Sequence, residues 1–306
     1  MRNNTDKTIP PRHPWIEAMR LRTLPAGVAG VICGSGVALA LNNFQWLPAL
    51  ICLIFSLLAQ IASNFANEYF DYRNGLDRKG REGFRRGVTE GDISPRAMLY
   101  ATSGTLAAAC LVGLTLIYWG GWILIPIGIL IAIFALMYSA GPYPLSHHGL
   151  GDLAVIIFFG IVPVTLTAWL QYRVPSTLTA ALLPAIGTGL LASNILIVNN
   201  YRDVEDDRAV SKHTTVVIFG RKVMSWVYLS NVVLGIALIC GPMAYLNGNN
   251  IIRTIILVFS LIALASGISI RSSMLHSEGR QLNDILKRTA ILLLLVTVTV
   301  TLLSAF

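Results

Sequence analysis

Nine times along this chain, a run of about 17 to 24 residues passes almost without a charge, and that repetition limits what it can fold into. About 20 mainly apolar residues are enough for a helix to cross a bilayer. The runs are Thr23–Leu41, Leu47–Tyr69, Ala97–Trp119, Trp122–Tyr138, Leu153–Leu170, Leu178–Asn200, Val223–Leu246, Thr254–Ile270 and Thr289–Phe306. Composition agrees: 12% of the 306 residues are charged and 55% are hydrophobic, whereas a soluble domain carries about 25% charged residues. Too few charges remain to coat a water-facing surface. The expected fold class is an all-α integral membrane bundle of about nine helices, forming one domain over residues 1–306.

Basic residues are retained on the cytoplasmic side of a membrane. Of the 23 Lys and Arg residues, all except Arg173 and Arg253 fall in the N-terminal segment or in the loops after the second, sixth and eighth runs. This predicts a cytoplasmic N-terminus (residues 1–20), nine spans, and a C-terminus on the far side. The cytoplasmic inner membrane is the expected location. The net charge of +8 follows from this retention and from anionic lipid headgroups, so it calls for no nucleic acid. Residues Met1 to Trp15 are polar and Pro-rich, without the apolar core of a cleavable signal. The four cysteines sit singly inside apolar runs, which argues against a disulfide framework or a metal–sulfur centre.

Two acidic clusters stand out. Asn67-Glu68-Tyr69-Phe70-Asp71 closes the second run and is followed by Gly75 and Asp77. Asn199-Asn200-Tyr201-Arg202-Asp203 closes the sixth run and is followed by Asp206-Asp207. Each Asn and each first Asp recurs at an offset of 132 residues. With four runs between them, both clusters should emerge at one end of the bundle. Residues i and i+4 share a helical face, so Asn67 projects with Asp71, and Asn199 with Asp203 and Asp207. Gly75 is expected to let the chain leave the helix and turn Asp77 back. Oxygen donors without Cys or His suit a hard cation. Mg2+, which keeps waters and substrate phosphates in its shell, needs only one or two carboxylates. Two incomplete sets facing each other would suit a diphosphate. Polar groups that continue an apolar run without a spacer normally face a bundle interior.

Cations flank the clusters: Arg22, Arg81, Arg86, Arg202, Arg208 and Lys212. Guanidinium groups suit phosphate oxygens, and equally each of these residues satisfies retention at the membrane face. Tyr138 reads either as a contact for the substrate or as an interfacial aromatic. Asp152 reads as an orienting carboxylate or, slightly preferred, as a helix cap; His147 and His148 read as a solvated loop pair. Gly27, Gly30, Gly34 and Gly36 read as close helix packing before they read as a lateral opening. Trp15, Trp46, Trp119 and Trp122 read as belt residues.

With these residues in view, the chain resembles the UbiA superfamily of intramembrane prenyltransferases. It is most similar to the menaquinone branch, which acts on 1,4-dihydroxy-2-naphthoate. Arg20-Leu21-Arg22-Thr23-Leu24-Pro25, both Asp motifs, Gly83-Phe84-Arg85-Arg86, Gly149-Leu150-Gly151-Asp152 and Lys212-His213-Thr214 carry the resemblance. Departures are Glu68 for Asp, Phe84 for Pro, Ser211 for Gly and Thr215 for Leu. The resemblance implies transfer of a polyprenyl group from its diphosphate to an aromatic acceptor. In it, Mg2+ is held by Asn67, Asp71, Asp77, Asn199, Asp203 and Asp207. It also implies catalytic roles for the four aspartates and Tyr138, and substrate contacts from Arg22, Asn67, Arg81, Arg86, Asp152, Asn199, Arg202 and Lys212. 4-Hydroxybenzoate or haem is the alternative acceptor within that chemistry. A cation-coupled secondary transporter is the alternative of a different class, although its sites normally lie near the bilayer midplane.

Overall fold

The computed structural model describes residues 13–79, 83, 85–141 and 143–306. Among the described residues there is no β-strand, only an isolated backbone bridge between His148 and His213. The described residues form nine principal helices that follow the apolar runs: α1 Leu24–Ala40, α2 Trp46–Arg73, α3 Pro95–Gly120, α4 Leu124–Met137, α5 Gly151–Gln171, α6 Pro175–Arg202, α7 Thr215–Leu246, α8 Asn250–Leu275 and α9 Leu282–Leu303. Seven of these are long and apolar enough to cross a membrane; α1 and α4 are the shorter ones. At 1.5 Å per residue, the 17 residues of α1 cover about 25 Å and the 14 of α4 about 21 Å. Both fall short of a hydrocarbon core of about 30 Å. The chain is a multi-pass membrane protein.

Burial ranks the helices. The α6 helix is the centre post, with 72% of its apolar window buried, against 17% for α3 and α8. It packs on α7, α5, α1 and α9. Lipid is as apolar as leucine, so helices in a bilayer adhere through close van der Waals contact between small residues rather than by hydrophobic exclusion. The crossing of α5 and α6 shows this most clearly: a Cβ on Gly160 would lie 2.4 Å from the Cα of Gly189. No side chain fits there. The glycines of α1 serve the same purpose, Gly30 meeting Pro163, Gly34 meeting Val164 and Gly36 meeting Thr301. Outward-facing Ile251, Leu261 and Ile262 on α8 and Leu111 on α3 are exposed, as a lipid-facing surface requires. Trp46, which begins α2, and Trp122, in the turn just before α4, are also exposed, at the end opposite the acidic clusters.

Two irregularities shape the interior. Pro163 has no N–H to donate to the preceding turn, and α5 widens into a π-turn over Ile156–Ile161 just before it. Such bulges frequently accompany functional sites. The α7 helix starts at Thr215, eight residues before its apolar run, and breaks at Gly220, whose φ of 79° is outside the helical region.

Candidate functional site

The end of α2 is built by its own sequence. Gly75 takes a left-handed φ of 69°, which costs a glycine nothing. Leu76 N–H then closes onto Asp71 O at 2.9 Å, and Asp77 is carried back against the bundle as expected. At the end of α6, Asp203 leaves the helix and a short helix, Val204–Ala209, follows at once. Asp207 N–H donates to Asp203 O at 2.8 Å, so Asn199, Asp203 and Asp207 stay on one side.

The two clusters meet. A crevice of about 20 Å³ is lined by Asp71, Asp77, Asp206, Asp207 and Lys212. A second, of about 60 Å³, is lined by Asn67, Asn199, Asp203, Asp152, Arg20, Arg86, Tyr138 and Lys212, among others. Lys212 borders both, and an ion pair between Arg78 and Asp206 ties the loop after α2 to the loop after α6.

Arginines hold the carboxylates in place. Arg86, itself 5% exposed, lies 3.2 Å from Asp77 Oδ2 and 3.5 Å from Asp71 Oδ2, and it donates to Asn67 Oδ1 at 3.2 Å. Arg202 grips Asp203 with two parallel bonds of 2.7 and 2.8 Å, and also donates to Asn199 and to Asn283 of α9, each at 2.7 Å. Lys212 Nζ lies 3.8 Å from Asp207.

The six proposed metal ligands therefore border the crevices as two sets of three. Among the described residues, no three acidic, His or Cys side chains approach at the spacing of a metal cluster. The cause is visible: guanidinium groups stand among the carboxylates. The donor set still fits a hard divalent ion. Asp71 Oδ1 is buried and makes no hydrogen bond among the described residues. Its neighbour His147 Nε2, at 3.7 Å, is too far for one. Buried oxygens ordinarily have a partner, and this one borders the crevice where a cation and a diphosphate would lie.

Several side chains fall elsewhere than the sequence suggested. Arg22 is exposed and borders neither crevice; the cation in the site is Arg20, which bonds Asn67 Oδ1 and borders the larger crevice. Its left-handed φ of 52° turns it inward, and no sequence pattern announces that. Arg81 lies outside the described residues. Arg208 pairs with Glu205 at the surface. His147 is not a solvated loop residue: its side chain is 13% exposed and faces Asp71. His148 stacks on Tyr143, with ring centroids 3.6 Å apart. Asp152 is not a cap. The residue at the cap position is Leu150, and the two oxygens of Asp152 accept from Ser193 of α6 and Thr215 of α7. Ser139, which accepts from Asn67 at 2.9 Å, was not legible either.

Below the polar end lies a cavity of about 560 Å³. Its walls are mainly apolar side chains of α3, α4 and α5, including Phe134, Phe158, Phe159, Leu116 and Leu170. Arg20, Tyr138, Asn67, Leu196 and Asn199 border both this cavity and the polar crevice, so the two spaces adjoin. The acidic clusters sit at helix ends rather than at a mid-membrane break, unlike a typical transporter site.

A rim of carboxylates and cations beside a mainly apolar cavity, inside a helical membrane bundle, is the architecture of a membrane-embedded site for amphiphiles with a charged head. The chain belongs to the UbiA prenyltransferase family, whose model matches residues 28–283. It is 37% identical over 224 residues to a 1,4-dihydroxy-2-naphthoate octaprenyltransferase of Escherichia coli, covering 71% of each chain. It is 36% identical over 219 residues to the protein of that name in Haemophilus influenzae, covering 67% of this chain and 69% of the relative. The fold is similar to that of a UbiA homologue from Archaeoglobus fulgidus solved with DMAPP and Mg2+ (TM-score 0.64, 16% identity, 95% of this chain and 98% of that one). It is similar also to a homologue from Aeropyrum pernix (TM-score 0.66, 16% identity, 88% of this chain and 94% of that one).

Proposed function

We propose that this protein transfers a polyprenyl group from polyprenyl diphosphate to 1,4-dihydroxy-2-naphthoate, with loss of the carboxylate as carbon dioxide, giving reduced demethylmenaquinone. The observation that carries the reading is the direct junction of a cationic, carboxylate-lined crevice with an apolar cavity of about 560 Å³. Relatives bearing the naphthoate octaprenyltransferase name supply the acceptor. The polar end, with the N-terminus, faces the cytoplasm; the distribution of Lys and Arg supports this.

Asn67, Asp71 and Asp77 from one side, and Asn199, Asp203 and Asp207 from the other, would hold Mg2+. An ion bound there would neutralise the diphosphate and stabilise the charge that develops as it leaves. Arg20 and Arg86 line the crevice of Asn67, Asn199 and Asp203, Lys212 borders that one and the crevice of Asp71, Asp77 and Asp207, and the three cations bind the remaining phosphate oxygens. The prenyl C–O bond breaks and its electron pair departs with the diphosphate. The allylic cation is left at the mouth of the cavity, beside Tyr138, which borders both spaces. The ring carbon that bears the carboxylate supplies the electron pair of the new C–C bond; the bond from that carbon to the carboxylate then breaks, its electron pair returns to the ring, and carbon dioxide leaves as aromaticity is restored. Each buried methylene of the tail contributes about 0.8 kcal/mol, which places the prenyl group in the cavity.

The test is purified protein with polyprenyl diphosphate, Mg2+ and a panel of aromatic acids, following prenylated product and diphosphate release. Turnover is expected with 1,4-dihydroxy-2-naphthoate, lost on chelation, and far slower with 4-hydroxybenzoate. No diphosphate release with any acceptor would overturn the reading.

A further inference from the structure

One acidic residue of the first motif takes no part in the crevices. Glu68 stands between Asn67 and Asp71 in sequence, yet it borders neither polar space. Successive residues of a helix are about 100° apart, so it leaves α2 on a different face from Asn67. It is fully buried, and a buried carboxylate is costly unless it is hydrogen-bonded. Its Oε1 accepts from Val88 N–H at 3.1 Å, and the N–H of Gly87 bonds the same side chain. Those two amides open a one-turn helix, Gly87–Glu90, and the first N–H groups of any helix lack partners within it. A side chain of α2 thus caps a helix that begins about 20 residues further along the chain.

What that short helix carries, at its N-cap position, is Arg86. We propose that Glu68 is a positioning residue for the diphosphate site: by holding the start of the short helix, it fixes the backbone from which Arg86 enters the crevice. The proposal deepens the prenyl-transfer reading and rests on it. The segment is built to keep a fixed position. Asp92 and Ile93 N–H close onto Gly87 O at 2.8 and 3.0 Å. Val88 and Ile93 pack beside Phe65 of α2 and Met98 of α3, and a Cβ on Gly87 would lie 2.9 Å from the Ile93 side chain. The two consecutive arginines then part. Arg85 turns to the surface and pairs with Asp92, while Arg86 turns inward to Asn67, Asp71 and Asp77. Asn64, one turn before Glu68 on the same helical face, treats Arg20 in the same way. It donates to Met19 O at 2.9 Å, beside the residue whose guanidinium also bonds Asn67. One face of α2 thus seats both segments that deliver cations to Asn67.

The experiment is a double-mutant cycle on the purified protein with Mg2+, joining Arg86→Met to Glu68→Met, which is of similar size but lacks the acceptor oxygen. Glu68→Met is expected to raise the KM for prenyl diphosphate about tenfold, the effect of one lost hydrogen bond. Its kcat and its KM for the aromatic acid should change little. The double variant should be no weaker than Arg86→Met alone, because the glutamate acts through the arginine. Glu68→Gln, which keeps an acceptor oxygen at the same reach, should recover most of the wild-type KM. Additive penalties in the double variant, a Gln variant as weak as the Met variant, or a lowered Tm with KM unchanged each overturns the proposal. Failure of wild type to release diphosphate with any acceptor overturns instead the parent reading, so the two failures are distinguishable. If Glu68→Met does not fold, Glu68→Ala goes through the same cycle and decides.

Discussion

The ends of α2 and α6 carry nearly the same residues in nearly the same spacing, yet the fold surrounds them differently. Asp203 is held by Arg202, its immediate neighbour in sequence, through two parallel bonds, and Asn283 of α9 anchors the same guanidinium. Asp71 and Asp77 instead share Arg86, which arrives on a separate loop, at 3.2 to 3.5 Å, and Asp71 retains a bare oxygen. The Asp203 carboxylate is closed by a bidentate ion pair, whereas Asp71 keeps one oxygen with no hydrogen bond among the described residues. A duplicated motif therefore does not imply a duplicated site, because the counter-charge comes from elsewhere in the fold. At Asp71, among the described residues, a cation meets a carboxylate that is not gripped by a bidentate arginine.

Four measurements break or sharpen this contrast. The largest effect is expected from Asp71→Ala, at least about a thousandfold in kcat, on the scale of losing a key electrostatic contact, with membrane insertion intact by protease protection. Retained turnover would abolish the proposed asymmetry along with the site. Next, Arg202→Met leaves Asp203 buried without its bidentate partner and is expected to cost about 3–5 kcal/mol, seen as a marked fall in Tm in detergent. Arg86→Met should behave otherwise. Measured with Mg2+ present, a cation in the bordering crevice can take over the charge of Asp71 and Asp77, so Tm falls less than in Arg202→Met, while the KM for prenyl diphosphate rises about ten- to a hundredfold for the loss of a charged contact worth about 1.5–3 kcal/mol. Equal Tm losses in the two arginine variants would show the clusters to be equivalent. The smallest effect concerns Ser211, which holds a left-handed φ of 55° before Lys212. Ser211→Gly should stabilise by about 1 kcal/mol, raising Tm slightly without changing turnover.

The residues that were legible in the sequence are those whose geometry is local. Gly75 and Asp77 could be placed because a left-handed glycine closing a helix is a backbone property. Asn199, Asp203 and Asp207 could be aligned because the helical repeat is the same in every helix. Arg20 could not be told from Arg22, since a single positive φ decides which side chain turns inward. His147 read as a loop histidine because its partner, Asp71, is 76 residues away. Asp152 was mistaken for a cap for the same reason: its hydroxyl partners lie on α6 and α7.

By itself, then, the order of residues determined that the chain enters a bilayer, about how many times it crosses, and that two oxygen-rich clusters close helices running in one direction. Those properties follow from hydropathy and from the 3.6-residue repeat, which act over a few turns. Only the tertiary structure decided which arginine faces which carboxylate, that the clusters adjoin a cavity, and that Glu68 caps a loop helix instead of lining the crevices. Those depend on how loops and kinks such as Pro163 and Gly220 set one helix against another, and no local rule carries that information.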